Sequence, residues 1–117
     1  MITVYCYSRC STCRKALKWL DEKNIKYVLK DIKTQHPDME SLKKYYEISG
    51  LPLKRFFNTS GTAYKEMGLS AKLKNMSEED QLSLLAADGM LVRRPLLAGE
   101  DFVLTGFKED EWKEKLS

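Results

Sequence analysis

Apolar and β-branched positions open the chain. Ile2, Val4, Tyr5 and Tyr7, interleaved with Thr3 and Cys6, predict a strand from Ile2 to Tyr7, placed early enough to be a central one. From Ser11 the period changes: Cys13, Ala16, Leu17 and Leu20 recur at i, i+3, i+4 and i+7, the stripe of an amphipathic helix running to about Lys23. Ser11 or Thr12 can cap it, and Trp19 lies off the stripe at its edge. Asn24 ends the helix, and Ile25 to Ile32, with Tyr27, Val28 and Leu29, reads as a second strand. A right-handed crossover makes these two strands parallel.

The middle of the chain is helical in pattern. Pro37 and Asp38 open a helix from Met39 to Ile48, closed by Ser49-Gly50. Leu51 to Asn58 is a short helix burying Leu53, Phe56 and Phe57, and the turn Asn58 to Tyr64 leads into another carrying Tyr64 and Met67, broken by Gly68. Ser77-Glu78-Glu79-Asp80 places acidic residues where a helix begins, and that helix runs through Gln81 to Ala87, burying Leu82 with Leu84 or Leu85, and stops at Asp88-Gly89. After the apolar run Met90-Leu91-Val92 come Arg93-Arg94-Pro95. Leu96-Leu97 and Phe102-Val103-Leu104, joined by Gly99-Glu100-Asp101, predict an antiparallel hairpin. A last helix, about Glu109 to Leu116, turns Trp112 and Leu116 inward, and there are no repeats or low-complexity linkers.

Composition narrows the class. With 117 residues, 43% apolar and 32% charged, the chain reads as one globular domain and not as a disordered one. Twenty basic against seventeen acidic residues leave +3, too small and too mixed along the chain to argue for nucleic acid. Neither a leader pattern nor eighteen consecutive apolar residues occurs, so a soluble, cytoplasmic protein without membrane contact is expected. The three cysteines all fall between positions 6 and 13, which cannot staple a fold of this length, and their odd number argues against a secreted disulfide framework.

The candidate chemistry is Cys10-Ser11-Thr12-Cys13, at the junction of strand, turn and helix. Only a thiolate attacks a disulfide, so something must lower a thiol pKa of about 8.5. The unpaired N–H groups of the first helical turn, with Arg9 and Arg14 flanking, could lower that of Cys10 by roughly 2 units. Cys10 is then the nucleophile, and Cys13, one turn on and more covered, the resolving thiol; Ser11, Thr12 and Arg14 are the candidate anion contacts at the helix start. The spacing Cys6-x-x-x-Cys10-x-x-Cys13 superficially matches a radical-type iron–sulfur ligand run, but Cys6 is fixed in the strand and the chain is too short for the barrel that chemistry uses. Zinc lacks a fourth ligand, because His36, the only histidine, sits in a polar turn before Pro37, so no metal is expected. Cys6 reads as buried strand filler.

Strand, helix, strand, an all-helical insert, then hairpin and helix is the order of a thioredoxin-like domain. With Tyr5 to Arg14 around the thiols, Gly50-Leu51, Phe56-Phe57-Asn58-Thr59-Ser60-Gly61, Tyr64 to Leu69, Asp88-Gly89-Met90-Leu91, Arg94-Pro95-Leu96 and Gly106-Phe107-Lys108-Glu109, the chain resembles the arsenate reductase (ArsC-like) family and its Spx/MgsR branch over nearly its whole length. The resemblance implies an α/β, thioredoxin-like βαβ–ββα core with a mixed sheet, from residues 1–35 and 90–117, and a helical insert over 36–89. It implies that Cys10 is the nucleophile that takes up an arsenic oxyanion, that Pro95 is a cis-proline shaping the backbone beside the thiols, and that Arg94 binds substrate. No bound cofactor is implied, only an external thiol reductant: glutathione with glutaredoxin, or thioredoxin.

Two departures from the family pattern bear on substrate. Three arginines are expected around the oxyanion, whereas here Asn58 stands where the second would fall and Phe107-Lys108 where the third would. Charge-assisted contacts worth roughly 1.5 to 3 kcal/mol each are thereby lost. Cys13 also offers an internal resolver where those enzymes leave resolution to glutathione. Three classes stay open: a thiol–disulfide oxidoreductase, an Spx-like redox-switched regulator whose partner is the RNA polymerase alpha subunit, and an adaptor with idle thiols.

Overall fold

A computed structural model describes residues 1–116. Its centre is β1 (Ile2–Cys6), whose alternating side chains serve two cores at once. Parallel to it lies β2 (Tyr27–Asp31), reached through helix α1 (Ser11–Glu22), and antiparallel on its other side lies β3 (Leu96–Ala98), which pairs in turn with β4 (Val103–Thr105). The order β2-β1-β3-β4 makes a mixed sheet with β1 inside it, as the sequence pattern predicts.

One face of the sheet carries Val4, Cys6, Leu97 and Leu104, and is covered by Cys13, Ala16, Trp19 and Leu20 of α1 and by Trp112 of α6 (Glu109–Leu116). The opposite face carries Tyr5, Leu96, Ala98 and Val103. Over it pack Leu42 of α2 (Met39–Ser49), Tyr64 of α3 (Thr62–Glu66), Leu69 of α4 (Leu69–Lys72) and Leu82 and Leu85 of α5 (Glu78–Ala87). The period-2 alternation of the strands thus fixes which helices lie on which side.

Two local expectations are corrected. Trp19, placed at the edge of the α1 stripe by its spacing, is buried, while Leu17 is only partly covered. The reason is long-range: Trp19 meets the edges of Phe107 and Trp112, at centroid distances of 6.2 and 6.3 Å. The N-cap of α1 is Cys10, not Ser11 or Thr12, because a turn in which the Cys10 N–H donates to the Tyr7 carbonyl at 3.0 Å ends one residue earlier. Gly68 breaks the helix as expected: α3 stops at Glu66, and Gly68 (φ +63°) takes the left-handed conformation that glycine adopts at no steric cost before α4 begins at Leu69. Other starts are as expected, including Ser77, whose Oγ accepts from the Asp80 N–H at 3.1 Å.

The insert is stitched to the sheet beside the thiols. Phe57 and Val92 form an isolated antiparallel bridge, the Asn58 N–H donates to the Leu91 carbonyl at 2.8 Å, and the Arg93 N–H to the Phe56 carbonyl at 2.8 Å. That seam leads directly into a cis Arg94–Pro95 bond and β3. On the far side, Trp112 Nε1 donates to the Gly106 carbonyl at 3.0 Å, tying α6 to the end of β4. Trp112→Phe removes that bond and part of the ring contact, and is expected to lower unfolding free energy by about 2 kcal/mol in urea denaturation.

Candidate functional site

The site begins where β1 stops. The turn from Tyr7 to Cys10 is closed by the Cys10 N–H to Tyr7 carbonyl bond, and Cys10 then takes an extended conformation (φ −94°, ψ 118°) while its carbonyl accepts the first helical bond from the Arg14 N–H at 3.1 Å. Its side chain caps nothing. Instead the half-buried thiol lines an open cleft of about 880 Å³ between the helix start, the insert and the residues around Pro95.

Cys13 lies one turn further on and is buried at 1% exposure. The Tyr7 N–H points at its Sγ from 3.4 Å. Its pKa is lowered to about 6, first by the neighbouring Cys6 thiol, then by the Tyr7 amide, the Cys10 thiol and the positive charge of Arg94, against the opposing effect of burial. The partner thiol of Cys6 moves the other way: the interaction with Cys13, burial and the nearby sulfurs all push its pKa up.

Of the residues the sequence singles out, the structure brings Cys10, Thr12 and Arg94 to the cleft. Ser11 and Arg14 are exposed and do not line it; Arg14 Nη1 instead donates back to the Ser8 carbonyl at 3.3 Å. Pro95 is buried beneath, its carbonyl accepting the Gly106 N–H at 2.9 Å. His36 packs elsewhere, its Nδ1 3.4 Å from the Pro37 carbonyl oxygen. Among the described residues no group of three or more His, Cys, Asp or Glu side chains is placed to hold a metal ion. No helix among them is long and apolar enough to cross a membrane.

Arg94 brings positive charge to the cleft. Its guanidinium lies over the Tyr7 ring, 5.0 Å from the centroid, and its Nε and Nη1 are buried without a hydrogen-bond partner among the described residues. The same holds for Oγ1 of Thr105, another residue of the cleft wall. Unpaired buried donors cost about 1–3 kcal/mol each, and Arg94 has two in the wall of the cleft that Cys10 also lines, an arrangement suited to a ligand that carries negative charge.

Arg93 is a cleft residue that the sequence reading did not single out. Its Nε donates to the Phe57 carbonyl at 3.2 Å and its Nη2 to Thr59 Oγ1 at 3.3 Å. Burial and the nearby Arg55 charge lower its pKa. The adjacency of two arginines before a proline was the only available signal, and it could not say that both face the same hollow. Asn58 and Phe107-Lys108, the two positions where family arginines are expected, do lie on the cleft. Arg93, Arg94 and Lys108 therefore stand against the carboxylates of Glu66 and Asp88 around its wall.

Comparison with known proteins places this geometry. A model of the ArsC family matches residues 5–115. YusI, an uncharacterized protein of Bacillus subtilis, is 52% identical over 113 residues, covering 97% of this chain and 96% of its own. The global transcriptional regulator Spx of Staphylococcus saprophyticus is 26% identical over 111 residues, covering 95% of this chain and 83% of its own. A crystal structure from Bacteroides fragilis, described as related to the ArsC family, superposes with a TM-score of 0.94 at 52% identity, covering 97% of this chain and 95% of that one.

Proposed function

The chain belongs to the ArsC family and has a thioredoxin-like fold, and from that premise we propose that it is a thiol–disulfide oxidoreductase in which Cys10 attacks and Cys13 resolves. The observation that carries this reading is the pairing of a cleft-lining Cys10 with a buried Cys13 whose surroundings favour its anion. In the first step the Cys10 thiolate attacks one sulfur of a substrate disulfide; a mixed disulfide forms and the other half leaves as a thiolate. The Cys13 thiolate then attacks Cys10 Sγ, closing a Cys10–Cys13 disulfide and expelling the second half. The substrate gains two electrons, and a thioredoxin or glutaredoxin with glutathione returns them to the protein.

Arg94 supplies positive charge where negative charge is handled: it lines the cleft with Cys10, its charge favours the Cys13 anion, and two of its donors are unpaired. Arsenate as substrate asks more of the cleft, because Asn58 and Lys108 offer an oxyanion fewer bidentate contacts than arginines do. A small neutral disulfide makes no such demand. Reduced protein given excess aromatic disulfide is expected to release two thiols per chain, one from each step. Release of one, with an adduct left on Cys10, defeats the resolving role.

The pH dependence has a definite sign. Cys13 is an acid whose pKa is lowered to about 6, so its nucleophilic anion predominates above that value and is lost as pH falls through it. Closure of the mixed disulfide should therefore run at a plateau above pH 7 and slow about tenfold per unit well below pH 6, read by stopped-flow release of the second thiol. A midpoint near 8.5 contradicts the role given to its neighbours.

A second reading draws on Spx, which matches 95% of this chain. In it the same thiol pair is a switch, and oxidation alters binding to the RNA polymerase alpha subunit. Stoichiometric polymerase binding that changes with oxidation, without catalytic turnover, favours that reading over the enzyme.

A further inference from the structure

The two-sulfur cycle leaves a third thiol unexplained. Cys6 ends β1 on the side that faces α1, in the same packed cluster as Cys13, with 5% of its surface exposed. Its backbone is fixed, since the Cys6 carbonyl accepts the Ile32 N–H at 2.9 Å as β1 runs beside β2. The other members of that cluster, including Ala16, Leu20, Leu97 and Trp112, bring no charge to the sulfurs.

A buried sulfur anion loses its hydration and needs donors from the protein to replace it. Among the described residues, the groups that bear on the Cys13 sulfur are the Cys6 thiol from the strand beneath, the Tyr7 N–H at 3.4 Å, the Cys10 thiol on the cleft side and the Arg94 guanidinium. The amide alone is a long contact to sulfur. We infer that Cys6 is a positioning residue whose S–H donates to the Cys13 sulfur, keeps its own proton through the cycle, and holds Cys13 as the anion that closes the mixed disulfide. The contact with Cys13, burial and the nearby Cys10 sulfur, which push the Cys6 pKa up, make it a poor nucleophile and a persistent donor. No new bond forms at Cys6, and no oxidant is required.

This inference deepens the dithiol reading and rests on it for the resolving role of Cys13, but the charge of Cys13 can be measured without turnover. Titration of thiolate absorbance in Cys10→Ser protein reads Cys13 directly. Adding Cys6→Ala is expected to raise the Cys13 midpoint by a unit or more, and adding Cys6→Ser, whose hydroxyl still donates, to restore most of the difference. With Cys10 present, Cys6→Ala removes stabilisation from the dithiol form. The pair's equilibrium constant should move about tenfold toward disulfide, which is about 30 mV more reducing.

A Cys13 midpoint and a potential that both ignore Cys6→Ala overturn the inference. So does oxidised wild-type protein whose main product joins Cys6 to Cys13. The two readings fail separately. Protein that forms no Cys10–Cys13 disulfide, yet keeps a Cys6-dependent Cys13 midpoint, defeats the cycle and upholds the donor role; protein that cycles with a midpoint indifferent to Cys6 does the reverse.

Discussion

Cys10→Ser is expected to abolish disulfide turnover, whereas Cys13→Ser should leave the protein covalently joined to half of its substrate. The asymmetry follows from burial. Cys10 lines the cleft and is the sulfur a substrate can reach, so a hydroxyl in its place removes the nucleophile and nothing behind it can substitute: Cys13 has 1% of its surface exposed. Loss of Cys13 spares the first attack and removes the second, so the mixed disulfide accumulates and waits for an external thiol. Intact-mass spectrometry after a brief exposure to a small disulfide separates the outcomes. An adduct on Cys10→Ser, or the absence of one on Cys13→Ser, reverses the roles assigned to the two sulfurs.

Gly89→Ala is expected to cost about 3 kcal/mol or more of folding stability, the largest effect of any single methyl group here. A Cβ at this position would run into the backbone carbonyl of Ile32 and come within 2.8 Å of the His36 Cβ. Ile32 cannot retreat, because it is fully buried and its N–H is bonded to Cys6. Gly89 therefore marks a close approach of the insert to the end of the first βαβ unit, a place where only a missing side chain fits. The damage should also reach the cleft, since Val92 bonds back to the Gly89 carbonyl at 3.1 Å and Arg93 and Arg94 follow. A urea midpoint equal to that of the parent protein contradicts this packing.

The parts of the fold that were legible in the sequence are those whose cause is local or periodic. The β-branched and aromatic positions from Ile2 to Tyr7 predicted a central strand, and Ser77-Glu78-Glu79-Asp80 announced the start of α5. What escaped was set by contacts distant in sequence. Trp19 is buried because α6 brings Phe107 and Trp112 against it, which no stripe on α1 alone contains. The cap of α1 fell on Cys10 because a turn bond to Tyr7 outweighed the general preference for serine or threonine.

The same division holds at the cleft. The thiols and Arg94 stand in short motifs and could be named from them. Arg93, Glu66 and Asp88 reach the wall only because the Phe57–Val92 bridge folds the insert over the helix start, joining segments some thirty-five residues apart. Sequence also assigned the anion-favouring surroundings to the helix start, whereas those the structure builds around Cys13 come largely from β1 and the turn after it.

Trypsin offers a direct reading of the central claim, since cleavage after Arg9 and Arg14 yields one short peptide carrying Cys10 and Cys13 and leaves Cys6 in another. Protein equilibrated with a disulfide substrate, alkylated and digested without reduction, is expected to give that peptide unalkylated and two hydrogens lighter, with Cys6 recovered as a free thiol. The same peptide recovered with both cysteines alkylated, while the substrate is nonetheless reduced, would contradict the account.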